Sequence, residues 1–475
     1  MKIRLGMGYA DMARVAHWCR GELYDFTGDA GCRFEYVCTD SREADADTMF
    51  IATRGERVDG HDYIASALDR GCRCVLCEYV PTNIEGRCAA FVVVENSIDA
   101  FADTARGYRA DTALDTVAIT GSVGKTTTKE LCAAIIKQFK NLYYTEGNFN
   151  SVIGMPMSLM QVGDDCDAAV FEMGMSGFGE IRSMTLTARP GIAMVTNVGS
   201  SHLEYLKTRE NIAKAKLEIA EGLCDGGYLL LNGDEPLLYT VKPKTDANIN
   251  TVYVTVEDKQ DCGVRAYNIR VGERETEFDL YCLGTTYKNL KINLAGKAFV
   301  YNASFAVAAA QLLGALEQDI KCGLCAYVPS GMRQSIENKN GVTVILDCYN
   351  AAPESMRSAI DMLMAQKIGG RRIAVLGDMR ELGDGAQKMH TDVGRYAAEA
   401  GVDMIFTLGE LGENIARGAH DAGMSNDNLY SYHDIESPKQ LVKALVSEIR
   451  QGDAVLFKAS RSVGMERVAS GVFDR

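Results

Sequence analysis

Proline is scarce in this sequence, and long apolar runs are missing. The 475 residues include 8 Pro against 46 Gly, a ratio typical of α/β proteins, whose strands and helices are joined by tight turns. No stretch approaches the roughly 18 consecutive apolar residues that a transmembrane helix requires, so we expect no membrane span. The residues after Met1 soon include Asp11 and Arg14, which predicts no secretory signal and a cytoplasmic protein.

Positive charge is also in deficit. Lys and Arg number 50 against 64 Asp and Glu, which gives a formal net charge of −14. Because duplex-binding proteins carry the opposite excess, we expect no nucleic acid partner. An acidic chain can still bind phosphate groups where local cations or helix N-termini meet them.

The 15 cysteines do not form a recognisable metal motif. A structural zinc site needs four ligands at close spacing, whereas Cys72, Cys74 and Cys77 form a group of three, and Cys322 and Cys325 form a single CxxC. We interpret the first group as part of a buried strand and the second as one face of a helix. Free thiols in this number indicate a reducing compartment.

The length and the order of the apolar segments predict three α/β domains. Buried strands alternate with amphipathic helices from residue 115 onward, a β-rich excursion follows at 251–294, and a second α/β pattern begins at 326. We expect a mixed α/β N-terminal domain at 1–98, a doubly wound central domain with a phosphate loop at 99–325, and a Rossmann-like α/β C-terminal domain at 326–475.

A glycine-rich turn joins a predicted strand at 116–120 to an amphipathic helix. Backbone N–H groups of such a turn, together with the helix N-terminus, can surround a phosphate. The general pattern places a Gly six residues before the Lys, where Ile119 stands, so this is a shortened variant. Lys125 is expected at the β and γ phosphates and the Thr126 hydroxyl on Mg²⁺. The predicted nucleotide-binding residues of the turn are Gly121, Ser122, Val123, Gly124, Lys125, Thr126 and Thr127.

Polar residues stand where several predicted strands end, and ligands of open α/β sheets bind at these carboxyl ends. The residues are Thr120, Glu172, Asn197, Asp347 and Lys458. Carboxylate and imidazole groups both suit Mg²⁺ or Mn²⁺. We therefore predict a second metal ion at Glu172 and His202, with a helix cap or a turn as the alternative for each strand-end position.

Three segments resemble motifs of the Mur ligases, the ATP-dependent enzymes of peptidoglycan precursor synthesis. Residues 120–130 resemble their ATP loop, and residues 146–156 resemble their central substrate motif. Lys216, in Ala-Lys-Leu-Glu-Ile, matches the lysine that is carbamylated in the family. The resemblance extends over nearly the whole chain and implies ATP and two Mg²⁺ ions as cofactors.

Within the family, the sequence is most similar to the member that adds D-alanyl-D-alanine to UDP-N-acetylmuramoyl-tripeptide. Residues 347–356, 377–383 and 458–466 carry this similarity, while residues 39–42 and 55–61 resemble its UDP-binding first domain. The resemblance implies that ATP converts a substrate carboxylate into an acyl phosphate, which the dipeptide amine then attacks. These two substrates are the expected partners, and we expect a monomer.

The resemblance also implies a role for each matching residue. The expected catalytic residues are Lys125, Glu172, His202 and a carbamylated Lys216, with metal at Thr126, Glu172 and His202. Further ATP contacts are expected from Asn302, Arg333 and Asp347. The expected substrate-binding residues are Ser41, Arg42, Asn148, Asn150, Asn350, Lys458, Ser460 and Arg461. The sequence departs from the family pattern at Tyr301 (usually His), Ala352 (usually Asn) and Ala459 (usually Gly).

Two other interpretations stay open from the sequence. One is a different ligase of this kind, acting on another amino acid, on D-Ala-D-Lac, or as a folylpolyglutamate-type or cyanophycin-type enzyme. The other is a nucleotide-regulated binding protein without ligase activity. Residues 39–42 argue against the folylpolyglutamate and cyanophycin types, and Lys216 with the Glu172/His202 pair argues against the binding protein. His390 is a candidate for the base that deprotonates the amine.

Overall fold

The computed structural model describes residues 1–27, 32–55, 58–82, 84, 87–110, 113–257, 262–329 and 334–474. These residues form three large sheets that follow one another along the chain, each flanked by helices. The predicted α/β class with three successive units is therefore confirmed. No helix within the described ranges is long and apolar enough to cross a membrane.

The first sheet is mixed. Its region contains β1 (Lys2–Arg4), β2 (Ala10–Asp11), α1 (Met12–Cys19), β3 (Glu22–Asp25), β4 (Arg33–Phe34), β5 (Tyr36–Cys38), β6 (Thr48–Ile51), α2 (Ile64–Asp69), β7 (Cys74–Cys77), β8 (Ala90–Val93) and α3 (Ser97–Arg109). The strand order is β1-β5-β6-β7-β8-β3, with β5 to β8 parallel and both edge strands antiparallel. All four residues of β7 are buried, so its cysteines serve as small apolar side chains, as predicted.

The second sheet has nine strands and holds the glycine-rich turn. Its region contains β9 (Asp115–Thr120), α4 (Lys125–Ile136), β10 (Leu142–Tyr144), α5 (Gly154–Met160), β11 (Ala168–Glu172), α6 (Glu180–Ala188), β12 (Ile192–Val195), α7 (Leu203–Leu206), α8 (Arg209–Leu217), β13 (Tyr228–Asn232), α9 (Leu237–Thr240), β14 (Asn250–Thr255), β15 (Val264–Val271), β16 (Thr276–Cys282), β17 (Thr285–Ile292), α10 (Lys297–Leu312) and α11 (Glu317–Ala326). The order is β10-β11-β9-β12-β13-β14-β15-β16-β17.

The first seven strands in that order are parallel, and β15, β16 and β17 form an antiparallel meander at the far edge. The predicted β-rich excursion is therefore a continuation of the second sheet. One face of the sheet is covered by α4 and α10, which pack against each other. Beyond the first turn of α10 the alanines are fully buried, because small side chains let two helices and a sheet approach closely.

The first two sheets share apolar packing. Helix α3 packs against α1 on one side and against α5 and α6 on the other. Side chains of both sheets consequently belong to one continuous core. The predicted boundaries near residues 98 and 325 stay a prediction.

The third sheet is parallel except for one edge strand. Its region contains β18 (Ser335–Lys339), β19 (Val342–Leu346), α12 (Pro353–Met364), β20 (Arg372–Gly377), α13 (Ala386–Glu399), β21 (Met404–Leu408), α14 (Gly412–Asp421), β22 (Leu429–Tyr432), α15 (Lys439–Glu448), β23 (Ala454–Lys458) and α16 (Met465–Phe473). The order is β18-β19-β23-β20-β21-β22, with β18 antiparallel to β19. The third sheet is therefore another doubly wound α/β unit.

Candidate active site

A cleft of about 620 Å³ opens between the second and third sheets. Its floor is formed where β9, β11 and β12, which are neighbours in the second sheet, come to their carboxyl ends. The other wall follows β19 and β23 of the third sheet. The predicted site residues that line the cleft are Ser122, Val123, Gly124, Lys125, Thr126, Thr127, Asn150, Glu172, His202, Asn302, Asp347, Asn350 and Lys458.

The glycine-rich turn is held in shape by its own protein neighbours. Gly121 and Gly124 have φ values of +152° and +85°, a region that side-chain-bearing residues rarely adopt. The Oδ1 atom of Asn197 accepts the backbone N–H groups of Ser122, at 2.9 Å, and Val123, at 2.8 Å. Asn197 was noted as a strand-end residue, but its contact with the turn was not predicted.

A hydroxyl and a carboxylate meet at the start of α4. The Thr126 hydroxyl donates to Glu172 Oε2 at 2.7 Å, and Asn150 Nδ2 donates to Glu172 Oε1 at 2.9 Å. Glu172 is buried at the end of β11, so its charge faces this small polar cluster. Lys125 Nζ lies nearby on the same turn and donates to the Gly121 carbonyl at 2.8 Å. Oxygen donors of this kind suit a hard cation such as Mg²⁺.

His202 lies at the start of α7 and contacts the third unit of the chain. Its backbone is left-handed, with φ +63°, and its Nδ1 atom is 2.6 Å from Glu381 Oε2. The imidazole beside it lowers the pKa of the Glu381 carboxyl, although half-burial of that carboxyl acts in the opposite direction. Glu381 belongs to a family-like segment, 377–383, but no role was predicted for it.

Lys216 is buried on α8, with 1% of its surface exposed. Loss of water lowers the pKa of its amine well below the ordinary value, and the positive charge of Lys125 lowers it further. Its neighbour Lys214 is exposed on the same helix. Lys216 is therefore a core residue, unlike Lys214. Lys216 is not among the residues that line the cleft.

The third sheet presents a buried ion pair at the cleft wall. Lys458 Nζ lies 2.5 Å from Asp347 Oδ2 and donates to the Asn350 carbonyl at 2.9 Å, with 1% of Lys458 exposed. Strands β19 and β23 are parallel neighbours, which brings these two strand-end charges together. The pair is neutral as a whole, so little net charge reaches the cleft from it.

Two further hydrogen bonds join the second and third units. The Tyr349 hydroxyl donates to Asn148 Oδ1 at 2.5 Å, and the Ser200 hydroxyl donates to Glu354 Oε1 at 3.0 Å. Asn148 was predicted as a substrate residue, and the structure places it in this contact outside the cleft lining. Tyr349, Ser200 and Glu354 were not predicted, because contacts between separate sheets leave no periodic signal in the sequence.

Several predicted residues lie away from the cleft. Ser460 accepts the Arg380 N–H at 3.0 Å, and Arg461 pairs with Glu466 at 3.1 Å. In the first unit, Ser41 is buried next to Arg42, whose side chain is 85% exposed and lies 2.6 Å from Asp40. Hydrogen bonds from Arg42 hold the pKa of the Asp40 carboxyl below its usual range. Gly121 supports the turn without lining the cleft, and Arg333 lies outside the described residues.

His390, the candidate base, is fully buried. Its Nε2 accepts the Met379 N–H at 2.9 Å, and its Nδ1 lies 2.7 Å from the Ala386 carbonyl. Burial also lowers the pKa of the imidazole. With both ring nitrogens engaged by the backbone, His390 fixes the loop after β20, a geometry unsuited to accepting a proton from a substrate.

The fold and the cleft define a class of enzyme in which a phosphate-loop unit works against a second doubly wound unit. Residues 33–110, 119–310 and 333–461 match the families described as Mur ligase family, catalytic domain; Mur ligase middle domain; and Mur ligase, glutamate ligase domain.

Known proteins of this family are similar over nearly their whole length. UDP-N-acetylmuramoyl-tripeptide–D-alanyl-D-alanine ligase of Bacillus subtilis (strain 168) is 35% identical over 92% of this chain and 93% of its own. The ligase of the same name from Escherichia coli (strain K12) is 32% identical over 96% and 97%. The chain belongs to the Mur ligase family.

Solved structures agree with this assignment. MurF from Acinetobacter baumannii aligns with a TM-score of 0.88 and 27% identity, over 99% of this chain and 100% of that one. The MurF ligase of Thermotoga maritima, solved in complex with ADP, aligns with a TM-score of 0.79 and 28% identity, over 92% and 97%.

Proposed function

We propose that the chain is an ATP-dependent ligase that joins D-alanyl-D-alanine to UDP-N-acetylmuramoyl-tripeptide through an amide bond. The observation that carries the proposal is the cleft in which the phosphate loop and Glu172 face Asp347 and Lys458. The Bacillus subtilis and Escherichia coli relatives bear the name of this reaction. The Thermotoga maritima relative binds ADP, the product expected of the first step.

The reaction proceeds in two steps. First, an oxygen of the tripeptide carboxylate bonds to the γ-phosphorus of ATP, and the bond from that phosphorus to the bridging oxygen of ADP breaks. Second, the dipeptide amine bonds to the carbonyl carbon of the acyl phosphate, loses a proton, and inorganic phosphate leaves. The first step depends mainly on positioning and charge neutralisation. Lys125 and the first N–H groups of α4 supply both at the phosphates.

Two Mg²⁺ ions are part of the proposal, and the residues present fit them. Thr126 and Glu172, 2.7 Å apart, offer the oxygen ligands that hard cations prefer, and His202 would join Glu172 at the second ion. No group of three or more His, Cys, Asp or Glu in the described ranges could hold a metal ion. Phosphate oxygens would therefore complete both sites. When bound, the ions offset the repulsion between the γ-phosphate and the substrate carboxylate.

Lys216 is proposed to carry a carbamate. Its nitrogen would bond to the carbon of CO₂ and release one proton, a reaction that requires the neutral amine. Burial and the nearby charge of Lys125 both favour the neutral amine, which supports the proposal. A carbamate would also place a negative charge near the Lys125 ammonium, an attraction that the neutral amine does not provide.

A chemical rescue tests the carbamate. Lys216→Ala is expected to lose most activity yet to bind the UDP-substrate, and acetate or formate is expected to restore part of the rate by occupying the vacated space. Lys214→Ala is the matched control, because Lys214 is exposed on the same helix. Full activity of Lys216→Ala, or equal losses for both variants, would refute the carbamate.

The other predicted site residues are proposed to bind ATP and the two substrates. The exposed Arg42, together with Ser41, is proposed to hold the UDP end of the acceptor, with Asn148 and Asn150 along its peptide. Asn302 is proposed at adenine, and Arg333 at the phosphates. Asp347 and Asn350 are proposed at the ribose or the dipeptide, and Lys458, Ser460 and Arg461 at the dipeptide carboxylate. We further propose a cytoplasmic monomer with domains at 1–98, 99–325 and 326–475.

Phosphate release is the decisive measurement. The proposal predicts release that requires ATP, the UDP-muramoyl tripeptide and D-alanyl-D-alanine together. Release with a different amino acid or with D-Ala-D-Lac in place of the dipeptide would point to another ligase. Nucleotide binding without release under any combination would point to a binding protein and overturn the proposal.

A further inference from the structure

A carboxylate after β13 fixes the position of a tyrosine ring at the start of α10. The Tyr301 hydroxyl donates to Asp234 Oδ2 at 2.5 Å, and the Val256 N–H donates to the same oxygen at 3.0 Å. Asp234 Oδ1 accepts the Thr255 hydroxyl at 2.6 Å. Donors at the end of β14 therefore hold the carboxylate, and the carboxylate in turn holds the far end of the tyrosine side chain.

This hydrogen bond leaves the aromatic ring of Tyr301 as the surface that a ligand can use. Burial of Tyr301 and its hydrogen bond to Asp234 raise the pKa of the phenol, so the hydroxyl keeps the proton that it donates. The half-buried side chain lines the cleft together with its sequence neighbour Asn302. Aromatic rings bind flat heteroaromatic bases by stacking, largely independently of which base is present.

Tyr301 is placed at a suitable separation from the phosphate loop. That loop follows β9 and Asp234 follows β13, and the sheet order β9-β12-β13 puts two strand spacings, about 10 Å, between them. In a nucleotide the ribose separates the base from the phosphates, so the two ends need contact surfaces that lie apart. Asn302 Oδ1 accepts the Thr128 hydroxyl of α4 at 3.3 Å, which connects the two surfaces. A nucleotide with its phosphates on the loop can therefore bring its base to Tyr301.

Helix α12 of the third unit passes over the same part of the cleft. Near its start, Glu354 Oε1 accepts the hydroxyl of Ser200, on the loop after β12, at 3.0 Å. Just after its end, Gln366 Nε2 donates to the carbonyl of Glu273, in the turn between β15 and β16, at 3.1 Å. Strands β13 and β14 lie between these two points in the sheet, so the middle of α12 lies over their ends.

We propose that Tyr301 is the stacking surface for the base of the nucleotide, in a slot whose other side is formed by Ala359 and Met362 of α12, and that Asp234 is a positioning residue that holds the ring. Both α12 side chains line the cleft. The inference rests on the nucleotide site of the proposed function. It concerns this chain in particular, since the family pattern usually has His at position 301. Asp234 acts through Tyr301 and not on the nucleotide.

A comparison of ADP with inorganic pyrophosphate isolates the contribution of the base. In calorimetry with Mg²⁺ present, we expect Tyr301→Ala to weaken ADP binding by about 5-fold to 100-fold. Its pyrophosphate affinity should equal that of the wild type, because pyrophosphate has no base. Tyr301→Phe keeps the ring and loses the hydrogen bond to Asp234, so its ADP affinity should lie between the two. The matched control is Tyr281→Ala, at an exposed position of the same sheet outside the cleft lining.

The positioning role of Asp234 is tested by combining variants. Asp234→Ala and Tyr301→Phe remove the same hydrogen bond, so each should weaken ADP binding to a similar degree, and the double variant should show no further loss. Asp234→Asn keeps one acceptor oxygen and should retain most of the ADP affinity. Losses that add in the double variant would overturn the positioning role.

The stacking role has its own contrary results. Wild-type ADP affinity in Tyr301→Ala, or an equal loss for ADP and pyrophosphate, would overturn it. Unfolding curves of each variant check that the fold is kept. Failure of the proposed function would show differently: a wild type that binds ADP through Tyr301 but releases no phosphate with the two substrates would overturn the ligase and leave the slot standing.

Discussion

Replacing Lys216 with methionine should change how the stability of the protein depends on pH. Methionine keeps an unbranched apolar side chain of similar length in the buried space and removes the amine. The folded chain lowers the pKa of that amine well below its ordinary value of 10.5, whereas the unfolded chain leaves it near that value. Between the two pKa values, the unfolded chain therefore binds one more proton than the folded chain.

The sign and size of the effect follow from this difference. Stability rises with pH wherever the unfolded state binds more protons, by about 1.4 kcal/mol per pH unit for one group. For each pH unit between the lowered pKa and 10.5, the free energy of unfolding of the wild type should rise by this amount relative to that of Lys216→Met. Below the lowered pKa the difference should become constant, with methionine the more stable variant.

Urea unfolding in CO₂-free buffers at several alkaline pH values measures the difference. Lys214→Met is the control, since the exposed Lys214 should give curves parallel to those of the wild type. Bicarbonate should then stabilise the wild type but not Lys216→Met, because a carbamate forms on the folded chain. A difference between wild type and Lys216→Met that does not vary with pH would refute the reasoning.

Three other outcomes are expected. Lys125→Ala should abolish phosphate release while leaving the unfolding curve almost unchanged, because the side chain faces the cleft; release at the wild-type rate would remove Lys125 from the mechanism. Asp347→Ala should lower the free energy of unfolding of the third unit by about 3–5 kcal/mol in urea, since it leaves the Lys458 charge buried and unpaired; a loss below about 1 kcal/mol would contradict this. Gly124→Ala should weaken ADP binding measured by calorimetry, because its Cβ would lie 2.6 Å from Asn302 Oδ1; unchanged affinity would show that the loop can adapt.

Local patterns in the sequence predicted the elements that carry the site. The apolar strand before the glycine-rich turn, and the polar residues at the ends of β9, β11 and β19, were sufficient to anticipate the cleft edge. These features are predictable because strand ends and phosphate loops use residue types with strong local preferences. The continuation of the sheet through β17 was not predicted, since strand pairing is a long-range property.

Contacts between distant segments could not be predicted in the same way. The sequence of helix α8 is that of a polar helix. Lys216 is nevertheless buried, because other segments of the fold cover the side of the helix on which it lies. The contact between His202 and Glu381 joins residues that the sequence separates widely, and neither position shows a periodic pattern. The polar residues at the strand ends drew attention to His202, and the family resemblance drew attention to Lys216, but the physical state of each side chain required the folded structure.

The two halves of the glycine-rich turn have different roles. Its first half, Ser122 and Val123, gives its N–H groups to Asn197, so that half is anchored to the neighbouring strand. Its second half begins at Gly124, where α4 starts and the N-terminal end of the helix can receive an anion. The anchored half therefore determines the shape of the turn, and the other half determines its affinity. Because the shape exists before any nucleotide arrives, ordering of the turn belongs to folding, and binding requires little further loss of conformational freedom.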